Sequence, residues 1–222
     1  MPASLVGKGY KIRINAHTDD VSARSSWWRP PRVHRSFAID AATVQVANAF
    51  GGSIFVDLGG GAESASPGLG TVSVTIAGAI DQPWFELGRH TDAQWLAGLR
   101  DAPAPWAVLS SPNLILSMPS SYVRGLAEAE RLATWWSDVV AHEDALAAHL
   151  APRTSAELIN IDVQNSAGSA HSGFPIQAWD VYWGNPADLE ALSCEGSWGD
   201  FHELGHNHQR GWWTFSGDGE VT

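Results

Sequence analysis

The stretch WGDFHELGHNHQ, residues 198–209, decides how the rest of this 222-residue chain is interpreted. His202 and His206 are four residues apart, so in a helix both imidazoles lie on one face, one turn apart, where they can share a metal ion. Glu203 follows the first histidine, and its carboxylate can reach a metal-coordinated water without joining the ligands. This H-E-x-x-H spacing is typical of zinc peptidases, and it predicts a helix over residues 198–209.

A catalytic zinc site takes three protein ligands and keeps one position for water. Glu220 lies fourteen residues beyond His206, at the start of what the sequence predicts to be a new helix, and it is the candidate third ligand. His208 lies two residues beyond His206 and would face the other side of the helix, which makes it a poor ligand. Asp200 and Asp218 are also near, but neither continues the ligand face, and Asp218 fits better as a charge at a helix N-terminus.

Composition and charge narrow the classes of protein. With 44% hydrophobic and 17% charged residues, the chain can build a real core in one large or two small domains. A formal net charge of −11, with Lys and Arg scattered, disfavours a nucleic-acid partner or an anionic membrane surface. The single cysteine, Cys194, excludes an internal disulfide and a cysteine-rich zinc site. We expect no membrane span and, in this sequence, no signal peptide.

Two regions differ in their predicted secondary structure. Residues 1–88 predict a β-rich lobe, with strands at 10–14, 33–39, 43–47, 53–58 and 71–80 separated by Pro and Gly. After residue 88, Thr91 and Gln94 form a capping box before a short helix, and residues 121–150 predict a long amphipathic helix. Further strands are predicted at 106–110, 114–118 and 158–163. The pattern is that of an α+β fold.

Several blocks of the sequence resemble one known family. Residues 198–209, followed by 213–215 and 219–222, look like the catalytic segment of the enhancin and mucin-degrading gluzincin peptidases. Upstream blocks occur in the order of that family, among them YKIRINAHTDD at 10–20, RPPRVHRSF at 29–37, FGGSIFVD at 50–57 and HSGFP at 171–175. The resemblance therefore extends over nearly the whole chain.

The resemblance implies an α+β fold in which a β-rich N-terminal lobe, residues 1–88, leads into a thermolysin-like, gluzincin catalytic domain, residues 89–222. It implies a zinc-dependent endopeptidase, secreted or at the cell surface, that acts on O-glycosylated, mucin-like proteins. Position by position, His202, His206 and Glu220 would be the zinc ligands and Glu203 the general base. Family members continue beyond the third ligand into a helical C-terminal subdomain, which we expect to be missing here along with the residue that stabilises the oxyanion.

Two questions stay open in the sequence. Animal relatives keep the fold but can act as channel-associated or scaffold proteins, so a non-catalytic glycan- or protein-binding domain is the alternative, although the intact motif favours an enzyme. In gluzincins an edge strand upstream of the metal helix pairs with the substrate main chain, and residues 159–164 are the candidate. Four tryptophans are candidates for stacking on sugars, with core packing as the default for each: Trp179, Trp183, Trp212 and Trp213.

Overall fold

The computed structural model describes residues 1–59, 70–149, 153–180 and 185–220. Trp183 and the last two residues lie outside these ranges. The described residues form an α+β fold with a three-stranded and a six-stranded sheet, as the sequence predicted. No helix within the described ranges is both long and apolar enough to cross a membrane.

The smaller sheet is antiparallel and lies in the N-terminal lobe. Its central strand β1 (Lys11–Ile14) pairs on one side with β2 (Arg35–Ala38) and on the other with β3 (Ile54–Asp57). Ile12 of β1 is buried in a small apolar core. The antiparallel β-rich lobe expected from the alternating pattern is therefore present.

Two predicted strands of this lobe, at residues 43–47 and 71–80, are wrong, because the structure shows no strand at either place. The apolar side chains that suggested these strands still pack against the small core: Val44, Val46, Val72 and Val74. Alternating apolar residues in a sequence indicate only that one face of the segment is buried. A strand also needs a neighbouring backbone with which it can exchange hydrogen bonds.

The larger sheet has the order β4-β5-β6-β7-β9-β8. Its strands are β4 (Trp84–Glu86), β5 (Trp106–Ser110), β6 (Leu114–Pro119), β7 (Glu157–Asp162), β8 (Ala170–His171) and β9 (Ile176–Trp179). Strand β7 is buried throughout and pairs in parallel with both β6 and β9, so the prediction that residues 159–164 form an edge strand is wrong. A strand with partners on both sides has no free main-chain groups for a peptide. Among the described residues, edge strand β8 pairs with β9 alone in this sheet.

Within the described ranges, four α-helices accompany the larger sheet: α1 (Asp92–Ala97), α2 (Ala129–Leu146), α3 (Leu189–Glu195) and α4 (Trp198–His208). The capping box of Thr91 and Gln94 is confirmed at the start of α1. Helix α4 ends one residue before the predicted boundary. Helices α2 and α4 share one large apolar core with the sheet, to which Trp136, Ile159 and Leu204 contribute.

Helix α2 begins at Ala129, eight residues later than predicted, and the difference has a non-local cause. The side chain of Asp92, in α1, accepts a hydrogen bond from the Glu130 backbone nitrogen at 2.9 Å, and Glu130 in turn accepts one from the Asp92 nitrogen at 3.0 Å. Two helix N-termini thus cap each other across 38 residues of sequence. Residues 120–122 form a separate 3₁₀ turn, and residue 150 lies outside the described ranges.

The two faces of the larger sheet differ in character. Along β7, Ile159 and Ile161 point into the helical core, while Asn160 and Asp162 alternate with them and point to the other face. That face meets the N-terminal lobe, since Asp162 contacts Arg29 at 2.8 Å. Strand β4 belongs to this sheet although it precedes residue 88, and the boundary between lobes at that residue stays a prediction.

Candidate metal centre

Helix α4 carries the predicted motif in the predicted geometry. The first turn is held by Ser197, whose hydroxyl donates a hydrogen bond of 2.6 Å to the Asp200 carboxylate. Asp200 is buried, and burial raises its pKa to about 6, against the hydrogen bond from Ser197, which lowers it. It is a structural carboxylate of the helix start, in agreement with its exclusion from the ligand face.

The three predicted ligands converge. The Nε2 atoms of His202 and His206 are 3.0 Å apart, and the Glu220 carboxylate lies 3.0 Å from the first and 3.3 Å from the second. Within the described residues, this trio is the cluster of metal-type side chains whose ligand atoms come together. Glu220 lies in a turn, and the predicted helix beyond it falls on residues outside the described ranges.

The donor set fits zinc. Atoms bound at about 2.0–2.2 Å to a tetrahedral ion lie about 3.3–3.5 Å from one another, which is close to the separations of 3.0–3.3 Å between these three ligand atoms. Two imidazoles and one carboxylate are also ligand types that zinc accepts, and such a three-ligand site leaves a position open. The residues present are therefore able to hold the ion.

Neighbouring side chains orient the two histidines. The Nδ1 atom of His206 lies 3.3 Å from the Gln209 side-chain oxygen, and a proton there leaves the Nε2 lone pair facing the ligand cluster. Gln209 also donates a hydrogen bond to the Gly219 carbonyl, which brings the segment before Glu220 back over the helix. The indole of Trp198, one turn earlier, stacks on the His202 ring at a centroid distance of 4.7 Å.

Glu203 is separate from the ligand trio. Its side chain is buried, and burial raises its pKa, while the nearby His202, His206 and His171 oppose the rise by favouring the charged form. Glu203 therefore lies beside the candidate metal site without belonging to the ligand cluster, which is the position that a general base needs.

The far side of α4 is anchored by a buried polar network that the sequence did not reveal. His208 faces away from the ligands, as predicted, and contacts the Leu204 carbonyl at 2.7 Å and Asp144 at 2.9 Å. Asn207 donates to Glu157 at 2.9 Å, which links the helix to strand β7. Arg153 joins both contacts, because it bonds Asp144 at 2.6 Å and Glu157 at 2.7 Å.

One further residue at the site was missed. His171, on edge strand β8, lies close enough to Glu203 for their charges to interact, and it is bonded to Asp19 of the N-terminal lobe. His171 was noted only as part of the HSGFP block, and no local spacing ties it to a motif 31 residues downstream. Of the tryptophans named for sugar stacking, Trp212 is 78% exposed, whereas Trp213 and Trp179 are partly buried.

An α+β fold in which one helix carries H-E-x-x-H and a distal glutamate meets its two histidines is the arrangement expected from the resemblance to metallopeptidases. The chain belongs to the M60 peptidase family. Residues 78–222 match "Peptidase M60, enhancin and enhancin-like", and residues 1–77 match "N-terminal domain of M60-like peptidases". The expected family is confirmed, and membership of a metallopeptidase family implies a metal cofactor.

A curated animal protein is similar to nearly the whole chain. The chain is 34% identical over 219 residues to a TRPM8 channel-associated factor homolog of Danio rerio. The alignment covers 97% of this chain and 23% of that protein. The chain therefore spans under a quarter of the length of this relative.

Solved structures support the fold. A conserved Bacillus anthracis protein of unknown function matches 96% of this chain and 43% of its own, with a TM-score of 0.65 at 18% identity. The M60 catalytic domain of Clostridium perfringens ZmpC, in complex with the sialyl T antigen, matches 96% of this chain and 48% of its own, with a TM-score of 0.55 at 14% identity.

Proposed function

We propose that this chain carries the zinc centre of an endopeptidase that hydrolyses peptide bonds in O-glycosylated, mucin-like proteins. The observation that carries the proposal is the convergence of His202, His206 and Glu220 to within 3.0–3.3 Å, with Glu203 beside them. A chain that had lost catalysis would have no need to keep both ligands and base in this arrangement.

In this proposal His202, His206 and Glu220 hold the ion. Zinc, when bound, supplies Lewis acidity that polarises a carbonyl and makes water nucleophilic near neutral pH. Glu203 accepts the proton of the attacking water on its carboxylate and later passes it to the leaving amine. Its burial favours this role, because a raised pKa brings its proton affinity nearer to working pH.

Edge strand β8 is the proposed main-chain docking site for the substrate, in place of the central β7. Helix α4 contacts both β8 and β9, so this edge of the sheet is the one beside the metal helix. An extended peptide can add to a sheet edge by main-chain hydrogen bonds.

The glycoprotein part of the proposal rests on similarity and on exposed aromatic rings. One similar structure is the ZmpC catalytic domain with sialyl T antigen, and another is a metallopeptidase with Tn antigen. Near the motif, Trp198 is 75% and Trp212 is 78% exposed, and flat indole faces suit the apolar face of a sugar ring. Family resemblance also favours a secreted or cell-surface location.

The test is cleavage of a mucin-like glycoprotein by the protein in its natural full-length form, with bound zinc measured in the same samples. Glu203→Gln should leave zinc content unchanged and lower the cleavage rate about 10²–10⁴-fold, because it removes the base and not a ligand. Glu195→Gln is the matched control, since Glu195 is exposed at the end of α3, and it should change neither quantity. Cleavage by the Glu203→Gln variant at the original rate would remove Glu203 from this role.

A second function, a non-catalytic glycan- or protein-binding domain, is favoured by one observation: the 34% identity to a protein named as a TRPM8 channel-associated factor homolog. The same experiment separates the two proposals. A binding domain would bind the glycoprotein without cleaving it. Its affinity for the glycoprotein should be the same in the Glu203→Gln variant, because no catalytic base would be in use.

A further inference from the structure

A segment of the N-terminal lobe, residues 17–29, contacts the end of β7, the loop that follows it and edge strand β8. The contacts follow one another along both segments: Arg29 with Asp162, Trp28 with Gln164, Arg24 with the carbonyls of Asn165 and Gly168, and Asp19 with the Ser166 nitrogen and with His171. These contacts pair specific donors with specific acceptors, so they fix the position of the lobe along the larger sheet.

The last contact of the seam joins the carboxylate of Asp19 to the imidazole of His171. The Nε2 atom of His171 lies 2.9 Å from both carboxylate oxygens of Asp19, and its Nδ1 atom lies 3.0 Å from the Ser172 carbonyl. Both ring nitrogens therefore face acceptors. A neutral imidazole has a single N–H, so satisfying both acceptors requires the doubly protonated ring.

The surroundings of both groups agree with this charge state. Asp19 raises the pKa of His171 through their hydrogen bond, against the opposing effect of burial. Burial by itself would raise the pKa of Asp19, but the bonds from His171 and from the Ser166 nitrogen outweigh it, and the pKa of Asp19 is lowered. Glu203 is the other charged group that acts on His171.

His171 is one of the two residues of β8, and the chain after it is tied to the metal helix. Gly173 donates its backbone N–H to the Asn207 side-chain oxygen at 2.9 Å, and its carbonyl accepts from the Asn207 amide at 3.0 Å. Asn207 is the neighbour of the ligand His206. Strand β8 is thus held at His171 by the N-terminal lobe and, two residues later, by helix α4.

We propose that Asp19 and His171 form a positioning pair through which the N-terminal lobe fixes edge strand β8 beside the metal helix. The lobe is then a working part of the active centre and not a separate module. This inference rests on the proposed peptidase function, because the strand that the pair fixes is the proposed docking edge for the substrate. Both ring nitrogens of His171 are engaged within the protein, so it acts on the substrate only through the strand.

The pair can be tested without measuring activity. NMR titration of the His171 imidazole in the wild-type protein should give a pKa above that of a free histidine, and Asp19→Asn should lower it. The backbone amide of Gly173 should exchange faster with solvent in Asp19→Asn, at least about ten-fold, because a charge-assisted bond that anchors the strand is lost. Asp20→Asn is the matched control, since Asp20 is the adjacent aspartate and pairs with the exposed Arg32.

The functional arm uses full-length protein and a glycoprotein substrate. Asp19→Asn should raise KM about ten-fold with unchanged zinc content and a smaller effect on kcat. His171→Gln should do the same, and the double variant should lose no more than either single one, since both remove the same link. If His171 in the wild-type protein titrates like a free histidine, the pair is refuted whether or not Asp19→Asn folds. The pair is also refuted if Asp19→Asn folds and the hydrogen exchange rate of the Gly173 amide is unchanged. If cleavage is absent in every sample but both NMR results hold, the peptidase proposal fails and the link between lobes stands.

Discussion

Replacing Arg153 by methionine should test how far the metal helix depends on the buried network behind it. Arg153 is the hub of that network: its guanidinium bonds Asp144 at 2.6 and 2.8 Å and Glu157 at 2.7 Å, and it contacts His208 at 2.8 Å. Its side chain is only 6% exposed, and that of Glu157 is 3% exposed. Methionine preserves much of the apolar stem but leaves two carboxylates without their cation.

The magnitude follows from this burial. Removing one partner of a buried ion pair costs about 3–5 kcal/mol of the free energy of unfolding, because the remaining charge stays out of water without compensation. The same replacement at Arg131 provides the comparison. Arg131 pairs with Glu128 at 3.5 Å at the start of α2, but the two side chains are 64% and 59% exposed. Such surface pairs contribute about 0–1 kcal/mol.

Urea denaturation of both variants, followed by far-UV circular dichroism, measures the difference. Arg153→Met should lower the denaturation midpoint strongly with an unchanged m-value, and Arg131→Met should scarcely move it. If the two variants differ by less than about 1 kcal/mol, the network does not support the helix in the way described here.

Two further predictions concern the buried carboxylate of Glu143 and the backbone of the N-terminal lobe. Burial, together with the charges of Glu157 and Asp144, raises the pKa of Glu143 from 4.5 to about 8. Between these two pH values the carboxyl is protonated in the folded protein and ionised in the unfolded chain. The free energy of unfolding therefore falls as pH rises from 4.5 towards 8. Glu143→Gln should stabilise the protein at pH 7 and flatten that fall in urea midpoints measured across this pH range. Gly52 has φ of +120°, and an added Cβ would lie 2.7 Å from the Asn15 Cα. Gly52→Ala should therefore lower the free energy of unfolding, measured by urea denaturation, by at least about 2 kcal/mol. Gly51→Ala, with φ of +67° and no atom within 4 Å, should cost about 1 kcal/mol, and equal losses would refute the steric argument.

The geometry of the candidate site was predictable from the sequence to the extent that its residues are close in the chain. His202, Glu203 and His206 lie within one and a half turns of a single helix, so their spacing fixes their geometry once the helix forms. Glu220 could be proposed from the sequence because it lies only fourteen residues after His206. In the structure, the hydrogen bond from Gln209 to the Gly219 carbonyl brings this segment back to the helix. The α+β class followed from the change of periodicity after residue 88.

What the sequence did not yield depends on pairings between distant segments. Nothing in the residues of β7 says that β9 lies beside it, so a buried central strand was taken for an edge. The start of α2 is set by Asp92, far upstream, and not by a capping residue of its own. The bond between Asp19 and His171 joins residues 152 positions apart, and no pattern within either segment predicts it.

The proposed metal ligands are more exposed than the polar network on the other side of α4. This difference bears on the choice between the two proposed functions. The metal side is comparatively open, with side-chain exposures of 22% for His202, 17% for His206 and 73% for Glu220. The supporting side is closed, since Glu157 is 3% and His208 4% exposed. Substituting a partly exposed ligand costs little folding free energy, whereas breaking a buried network costs several kcal/mol. A chain of this fold could therefore lose its metal ligands and remain folded, so family membership alone does not establish catalysis. The retained trio and Glu203 are what favour the peptidase.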